Sequence, residues 1–324
     1  MEALATAGTS AGTAAALEQL YPRLARETFT AGWHSRSPAV WPHPRTGFKP
    51  RLWSYKRGSA LLDEAGELIS PERAERRNLV MFNPMEGNDY FALPTMMAAY
   101  QMIKGGEYAR NHRHSPNALR VVIDAQDDDV FTVVDGVCLP MRRGDVLLTP
   151  NWCWHSHFNR GSGKAYWLDV LDVPLVHLLQ PMFFEPGQAF EQSILEQHAE
   201  HPYRIETAQV ARQMASEPGA SAWRSRALPA PSMKTISLTL HTTQAPAVST
   251  PVQAVENRIY TVVEGSGQTH FGQETLQWER GDVFVAPMWT SHFHAAAGPV
   301  RLLEISDRAL FEALGFHRSA PTPQ

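Results

Sequence analysis

The stretch NHRHSPNALR at 111–120 sets His112 and His114 two residues apart and Arg120 six further on. On a strand, side chains two apart share a face, so the pair forms two ready-made imidazole ligands. Two exposed or core-satisfied histidines would look the same in isolation, and the surroundings must decide. Gly106 stands six before His112, and GDVLLTPNWCWHSHFN at 144–159 adds Gly144, Pro150, His155, His157 and Asn159. Imidazole suits Fe, Zn, Cu and Ni. Ser115, Pro116, Asn117, Ala118 and Leu119 follow His114 without a carboxylate. His112 and His114 are thus candidate ligands, with His155 a candidate third, each neutral as an imidazole. Compared with the facial triad of two histidines and one carboxylate, such a centre is one charge more positive and favours an anionic, chelating substrate.

The elements that must position these residues are short strands. LRVVIDA, DVFTVVDG, DVLLTP and AYWLDVLD are β-branched runs punctuated by Gly, Asp and Pro, and TISLTL, NRIYTVVEG, DVFVAP and VRLLEIS repeat that texture later. Gly144-Asp145, Pro150, Trp152, His155 and His157 recur as Gly281-Asp282, Pro287, Trp289, His292 and His294, all displaced by the same 137 residues. This internal duplication predicts an all-β protein with a few helices, built as two jelly-roll β-barrels. The expected divisions are an N-terminal helical and irregular segment (1–91), a metal-binding barrel (92–186), a helical and irregular connector (187–230), a second barrel without metal (231–318) and a tail (319–324). Residues 1–12 are expected to lack order. Leu17, Leu20 and Leu24 predict a helix over 14–28, Ser70-Pro71 opens a short helix, and 41–53 reads as irregular and extended.

The glycine, H-x-H, G-x5-P-x4-H-x3-N pattern resembles the two-part signature of cupins, which makes the duplicated chain a bicupin. ERRNLVMFNP (75–84), YQMIKGGEYARNHRHSPNALR (100–120), TVVDG (132–136) and WLDVLD (167–172) are similar to the gentisate 1,2-dioxygenase family, which includes salicylate, 5-nitrosalicylate and 1-hydroxy-2-naphthoate dioxygenases. The resemblance runs from about residue 15 to Arg318. It implies Fe(II) at His112, His114 and His155, and ring opening by O2 between the carboxyl- and hydroxyl-bearing carbons of gentisate or a 5-substituted salicylate. It also implies a homo-oligomer, dimer or tetramer. Arg120 matches the family arginine associated with the substrate carboxylate, for which a guanidinium offers a planar charged fork; an ordinary strand-edge arginine is the other reading. Gln101 matches a pocket glutamine, with a structural role as the alternative. His157, on the face of His155, is a candidate acid/base or substrate contact, and Asp169 a candidate for orienting a ligand or a pocket histidine. The chain departs from the family pattern at Ser156 and Phe158 (WHSHFN), at Val170, and in the aspartate run after Asp124-Ala125. Met96, Met97 and Ala99 occupy positions where relatives vary with substrate.

In the second repeat, aligning Tyr260 with Arg120 puts Val252 and Ala254 where His112 and His114 stand, and Ala296 replaces Asn159. His292 and His294 are accordingly expected to be structural. The competing readings are a 1-hydroxy-2-naphthoate dioxygenase, a non-catalytic bicupin that binds a small acid, and a metal-dependent isomerase or decarboxylase.

Composition narrows the classes further. With 43% hydrophobic and 19% charged residues the chain is of ordinary globular type, and a formal charge of −4 without a Lys/Arg block argues against nucleic-acid or anionic-membrane partners. No apolar run approaches the ~20 residues of a membrane helix. The first basic residue is Arg23, unlike the charged start of a secretory signal. Only Cys138 and Cys153 occur, which suits a reducing cytoplasm, and Cys153 between two tryptophans reads as a buried thiol rather than a nucleophile.

Overall fold

The computed structural model describes residues 11–34, 39–74, 76–126, 129–198, 200–219 and 221–321. Residues 1–10 of the segment expected to lack order, and Asp127 and Asp128 of the aspartate run, lie outside the described residues. The chain forms two compact units, Met1–Arg45 and Thr46–Gln324. In the first unit the expected helix runs Ala11–Arg26 and contains Pro22.

The second unit contains four sheets. The first jelly roll pairs a six-stranded sheet, in the order Arg204–Glu206, Asp145–Thr149, Ala118–Ala125, Ala165–Leu171, Met97–Ile103, Arg77–Met81, with a second sheet of six. That second sheet runs Phe184–Pro186, Tyr108–His114, His155–Asn159, Val130–Val134, Val137–Pro140, Glu196–Gln197. The later repeat forms the same arrangement, with a sheet of six (Arg51–Trp53, Val283–Ala286, Arg258–Glu264, Val300–Ser306, Ser237–Thr243, Arg224–Leu228) and one of four (Ala247–Val248, Phe293–Ala296, Ser266–Phe271, Glu274–Glu279). The fold is thus a bicupin of two jelly rolls. Each is an open sandwich; hydrogen bonding among the described residues does not close either into a complete barrel.

The burial pattern explains why the central strands read as continuous apolar runs. Every residue of Met97–Ile103 is buried. Ala98, Tyr100 and Met102 join the largest core, which also contains Leu238, Leu240, Ile259, Val283, Leu303 and Ile305 of the sibling sheet. The sheet that contains Met97–Ile103 and the one that contains Arg258–Glu264 therefore pack back to back through this shared core. Met97, Ala99 and Gln101, on the alternate face, point into the first sandwich. A strand buried on both faces loses the polar alternation of a surface strand.

The edge strands are exchanged between the repeats. Arg51–Trp53 pairs with Val283–Ala286 of the second jelly roll, whereas Arg77–Met81, after the helix Tyr55–Leu68 and the expected short helix Pro71–Ala74, pairs with Met97–Ile103 of the first. The later repeat mirrors this: Arg204–Glu206 joins the first jelly roll, and Arg224–Leu228, after the helix Thr207–Ser216, joins the second. One reading of the sequence is corrected here: the segment 41–53 ends in a strand. The connector over 187–230 holds the helix Thr207–Ser216 and the short strands Glu196–Gln197, Arg204–Glu206 and Arg224–Leu228, and an exposed strap runs over 180–198.

The duplication extends to fine geometry. Gly144 and Gly281 both have positive φ (83° and 89°), and so do Trp152 and Trp289 (66° and 60°). In each copy an Asn–Asp pair ties the loop before one inner strand to the end of another. Asn117 N and Nδ2 donate to Asp172, and Asn257 N and Nδ2 donate to Asp307. A threonine from the other repeat completes each pair, Thr235 on Asp172 and Thr95 on Asp307.

Candidate metal centre and active site

His112 lies directly opposite His155 in antiparallel register. A one-residue bulge between Ala109 and His112 sets their facing. Strict alternation back from His112 would turn Tyr108 and Arg110 inward; instead Ala109 is buried and Tyr108 and Arg110 are exposed. The Pro150–Trp152 turn fixes the other approach, because Trp152 N donates to the His114 carbonyl at 2.8 Å and Cys153 N to the Pro150 carbonyl at 3.2 Å. The one-position left-handed turn at Trp152 thus anchors the strand of His155 against that of His114.

The ligand atoms of His112, His114 and His155 lie within 4.8 Å of one another. Each Nδ1 faces a backbone carbonyl: Arg110 at 2.8 Å, Pro116 at 2.7 Å and Cys153 at 3.0 Å. A carbonyl only accepts, so each Nδ1 carries the proton and each Nε2 presents a lone pair. The Nε2 atoms of His112 and His155 are buried and have no hydrogen-bond partner among the described residues. Burial, reinforced by Arg76, pushes His112 down to about 3. Burial also pushes His114 down to about 4 and His155 well below its ordinary value. Neutral imidazoles with fixed tautomers and orphaned lone pairs fit a metal ion.

The second jelly roll provides an internal comparison. Val252 bridges to His292 as His112 pairs with His155, and Trp289 N donates to the Ala254 carbonyl as Trp152 N does to that of His114. Hydrocarbon side chains thus occupy the two ligand positions. His292 Nε2 is also engaged, 2.8 Å from the Tyr260 hydroxyl, which lies 2.9 Å from Glu304.

Beside the three histidines a cavity of about 550 Å³ is lined by Arg76, Gln101, His114, Arg120 and Asp169, with Met97, Ala99, Leu171 and Val173 as apolar wall. Arg120 is buried, donates to Thr149 Oγ1 at 2.6 Å and lies 3.3 Å from Asp169. Burial lowers its guanidinium to about 10 while Asp169 opposes the fall, so it stays charged at neutral pH. Asp169 was expected to orient a ligand or a pocket histidine; it instead engages Arg120 and accepts from Gln101 Nε2, because its strand lies between theirs. Since that carboxylate accepts, the Gln101 amide must turn its nitrogen to it, leaving Oε1 buried without a described partner. His157 is oriented by Thr132. The Thr132 hydroxyl donates to the Ser156 carbonyl at 3.0 Å and so accepts from Nδ1 at 2.7 Å, which leaves His157 Nε2 an orphaned, buried lone pair.

A Cupin domain family model matches residues 99–171. A 5-aminosalicylate 1,2-dioxygenase from Comamonas sp is 32% identical, covering 95% of this chain and 92% of that protein. A gentisate 1,2-dioxygenase from Streptomyces sp is 31% identical over 86% of this chain and 87% of its own length. This chain belongs to the gentisate 1,2-dioxygenase family. Its fold matches the crystal structure of a salicylate 1,2-dioxygenase from Pseudoaminobacter salicylatoxidans, described as an adduct with gentisate, with a TM-score of 0.85 and 27% identity, covering 99% of this chain and 97% of that one. Members of this family are ring-cleaving dioxygenases.

Within that family pattern, the departures sort by where they point. Ser156 and Phe158 face away from the histidines, and the Phe158 ring stacks on Phe131 at 5.0 Å; Val170 and Met96 belong to the shared core. Only Met97 and Ala99 of the divergent positions line the cavity. Arg76 was missed from the sequence although it stands in the quoted run 75–84. Its only signal is a place beside Arg77 just ahead of an edge strand, which no spacing rule connects to the histidines.

Proposed function

We propose that the chain opens the ring of a 2-hydroxybenzoate, gentisate or a 5-substituted salicylate, with O2 and Fe(II) held by His112, His114 and His155. The observation that carries this reading is the meeting of three tautomer-fixed histidines, the Arg120 fork and a cavity sized for an aromatic acid. When bound, ferrous iron supplies the one-electron chemistry that lets ground-state O2 react with the ring. The bond between the carboxyl- and hydroxyl-bearing carbons breaks and both oxygen atoms enter the product, so no external reductant is needed. Arg120 binds the carboxylate, with its orientation set by Asp169 and Thr149. Gln101 Oε1 accepts a hydrogen bond from a substrate hydroxyl or amino group. His157, held neutral by burial and by Arg120, keeps its Nε2 as a hydrogen-bond acceptor for the phenol rather than as a base. Arg76 adds positive charge at the cavity wall, and Met97, Ala99, Leu171 and Val173 exclude water from the ring.

Oxygen uptake by Fe(II)-loaded protein with gentisate, salicylate, 5-aminosalicylate, 5-nitrosalicylate and 1-hydroxy-2-naphthoate tests the reading. Uptake with at least one acid is expected; iron binding without any uptake favours the small-acid-binding bicupin. Turnover under strict anaerobiosis would favour an isomerase or decarboxylase. The same reading includes a cytoplasmic homo-oligomer, dimer or tetramer, supported by two free cysteines and by exposed Leu178, Leu179 and Phe183; light scattering after size exclusion checks the assembly. No helix among the described residues is long and apolar enough to cross a membrane.

A further inference from the structure

The three-histidine centre is flanked by two cavities, and its ligands are divided between them. His114 lines the cavity of about 550 Å³ that contains Arg120, Gln101 and Asp169. His112 lines another, of about 540 Å³, between the Tyr108–His114 strand and the strap, with Ala109, Ala189 and Phe190 in its wall. The two share only Arg76 and Phe184. Phe184 is held there because its strand pairs with that of His114, and its ring stacks on His112 at 5.2 Å. A third void of about 20 Å³ is bounded by Ala109, Tyr108, Arg76, Arg77, Glu107 and Gln101 and touches none of the three histidines. It has room for one water-sized or diatomic molecule, and it borders the strap cavity through Ala109 and Tyr108 and the Arg120 cavity through Gln101. Arg76 is the residue common to all three.

We infer that the strap cavity, which His112 lines, is the path by which dioxygen reaches the centre while an aromatic acid fills the cavity of Arg120. This rests on the proposed two-substrate reaction: an acid seated against Arg120 and Gln101 obstructs the front approach, and the second substrate must arrive from elsewhere. On the far side Ala109, Ala189, Pro186 and Phe190 present hydrocarbon to a small apolar gas, beside the polar Arg110, Asn111 and Gln188. The bulge at Ala109 opens the route, since it turns a small residue inward where strict alternation would place Tyr108 or Arg110.

The test narrows the route at two points outside the binding machinery, Ala189→Trp at the exposed mouth and Ala109→Val at the junction. Crystals pressurised with xenon need neither metal nor turnover; xenon is expected beside Ala109 or Phe190 in the parent protein and absent in Ala189→Trp. Nitric oxide, a dioxygen analogue, is then mixed rapidly with the Fe(II) protein. With salicylate bound, its association is expected to slow roughly fivefold or more in both variants, and without salicylate to stay within about twofold of the parent. Xenon confined to the Arg120 cavity overturns the route, and so does an unchanged association rate in a salicylate-bound variant whose structure shows the indole filling the strap cavity. If no acid supports oxygen uptake, the functional reading falls while the xenon result still decides the path.

Discussion

At His155 the Nδ1–H is committed to the Cys153 carbonyl, and the opposite nitrogen has no described partner. Replacing this residue by alanine removes a ligand that neither neighbour can supply. His155→Ala is expected to lose stoichiometric iron and to lower turnover on the order of 10³-fold or more; metal analysis alongside oxygen uptake checks it, and a variant keeping both refutes the donor set. Arg120→Lys keeps the charge but not the fork, so turnover at subsaturating acid is expected to fall roughly 10²-fold, mainly through KM. Acid release of the metal follows from the depressed imidazoles. In an unfolded chain these rings take up protons near 6.5, whereas burial holds His112 at about 3 and His114 at about 4 in the fold. Protons therefore compete with the metal only below those values, and the metal-free fold loses stability as pH drops below 6.5, because only the unfolded chain binds them. Metal content after dialysis should hold from pH 7 to about 4 and fall below it; release at pH 6 contradicts this. The three histidines were legible because they fall in a two-part motif of fixed spacing, His112 and His114 in one part and His155 in the other. Arg76, Thr132 and the true partners of Asp169 were not, because each depends on cross-strand register that spacing does not encode.

The elements that aim these side chains owe their shape to features with weak sequence signals. The jelly-roll strands were readable from β-branched runs, and VRLLEIS is a strand from Val300 to Ser306. The bulge before His112 was not readable, since Ala109, Arg110 and Asn111 carry no glycine or proline to mark it. Nor were the Asn–Asp clasps, whose members lie 55 residues apart in the first copy and 50 in the second. Those clasps should matter to stability. Asp307 accepts from Asn257 N and Nδ2 at 2.7 Å each and from Thr95 at 2.5 Å. Asp307→Ala leaves these buried donors unmatched and is expected to cost about 2–4 kcal/mol, read from urea denaturation of the metal-free protein. A cost no larger than that of an exposed aspartate would show the clasp to be incidental.

Across the molecule, the duplication was legible from one constant offset, yet the exchange of edge strands was not, because three-residue strands such as Arg51–Trp53 and Arg204–Glu206 are too short to show a pattern. Their pairing, the reciprocal Thr95–Asp307 and Thr235–Asp172 bonds and the shared core join the two jelly rolls into one body. Thermal unfolding followed by tryptophan emission and by far-ultraviolet circular dichroism is therefore expected to give coincident, single transitions for this body. Two separated transitions would mean that the jelly rolls fold independently. The exchange also decides where such a protein can be recombined with its relatives. A chimera cut at residue 92 or 187 hands each half edge strands grown for another partner. Cuts placed within the helices Tyr55–Leu68 and Thr207–Ser216 keep every donated strand with the sheet it completes. The seams at which this enzyme can trade its three-histidine half lie inside its helices, not between its jelly rolls.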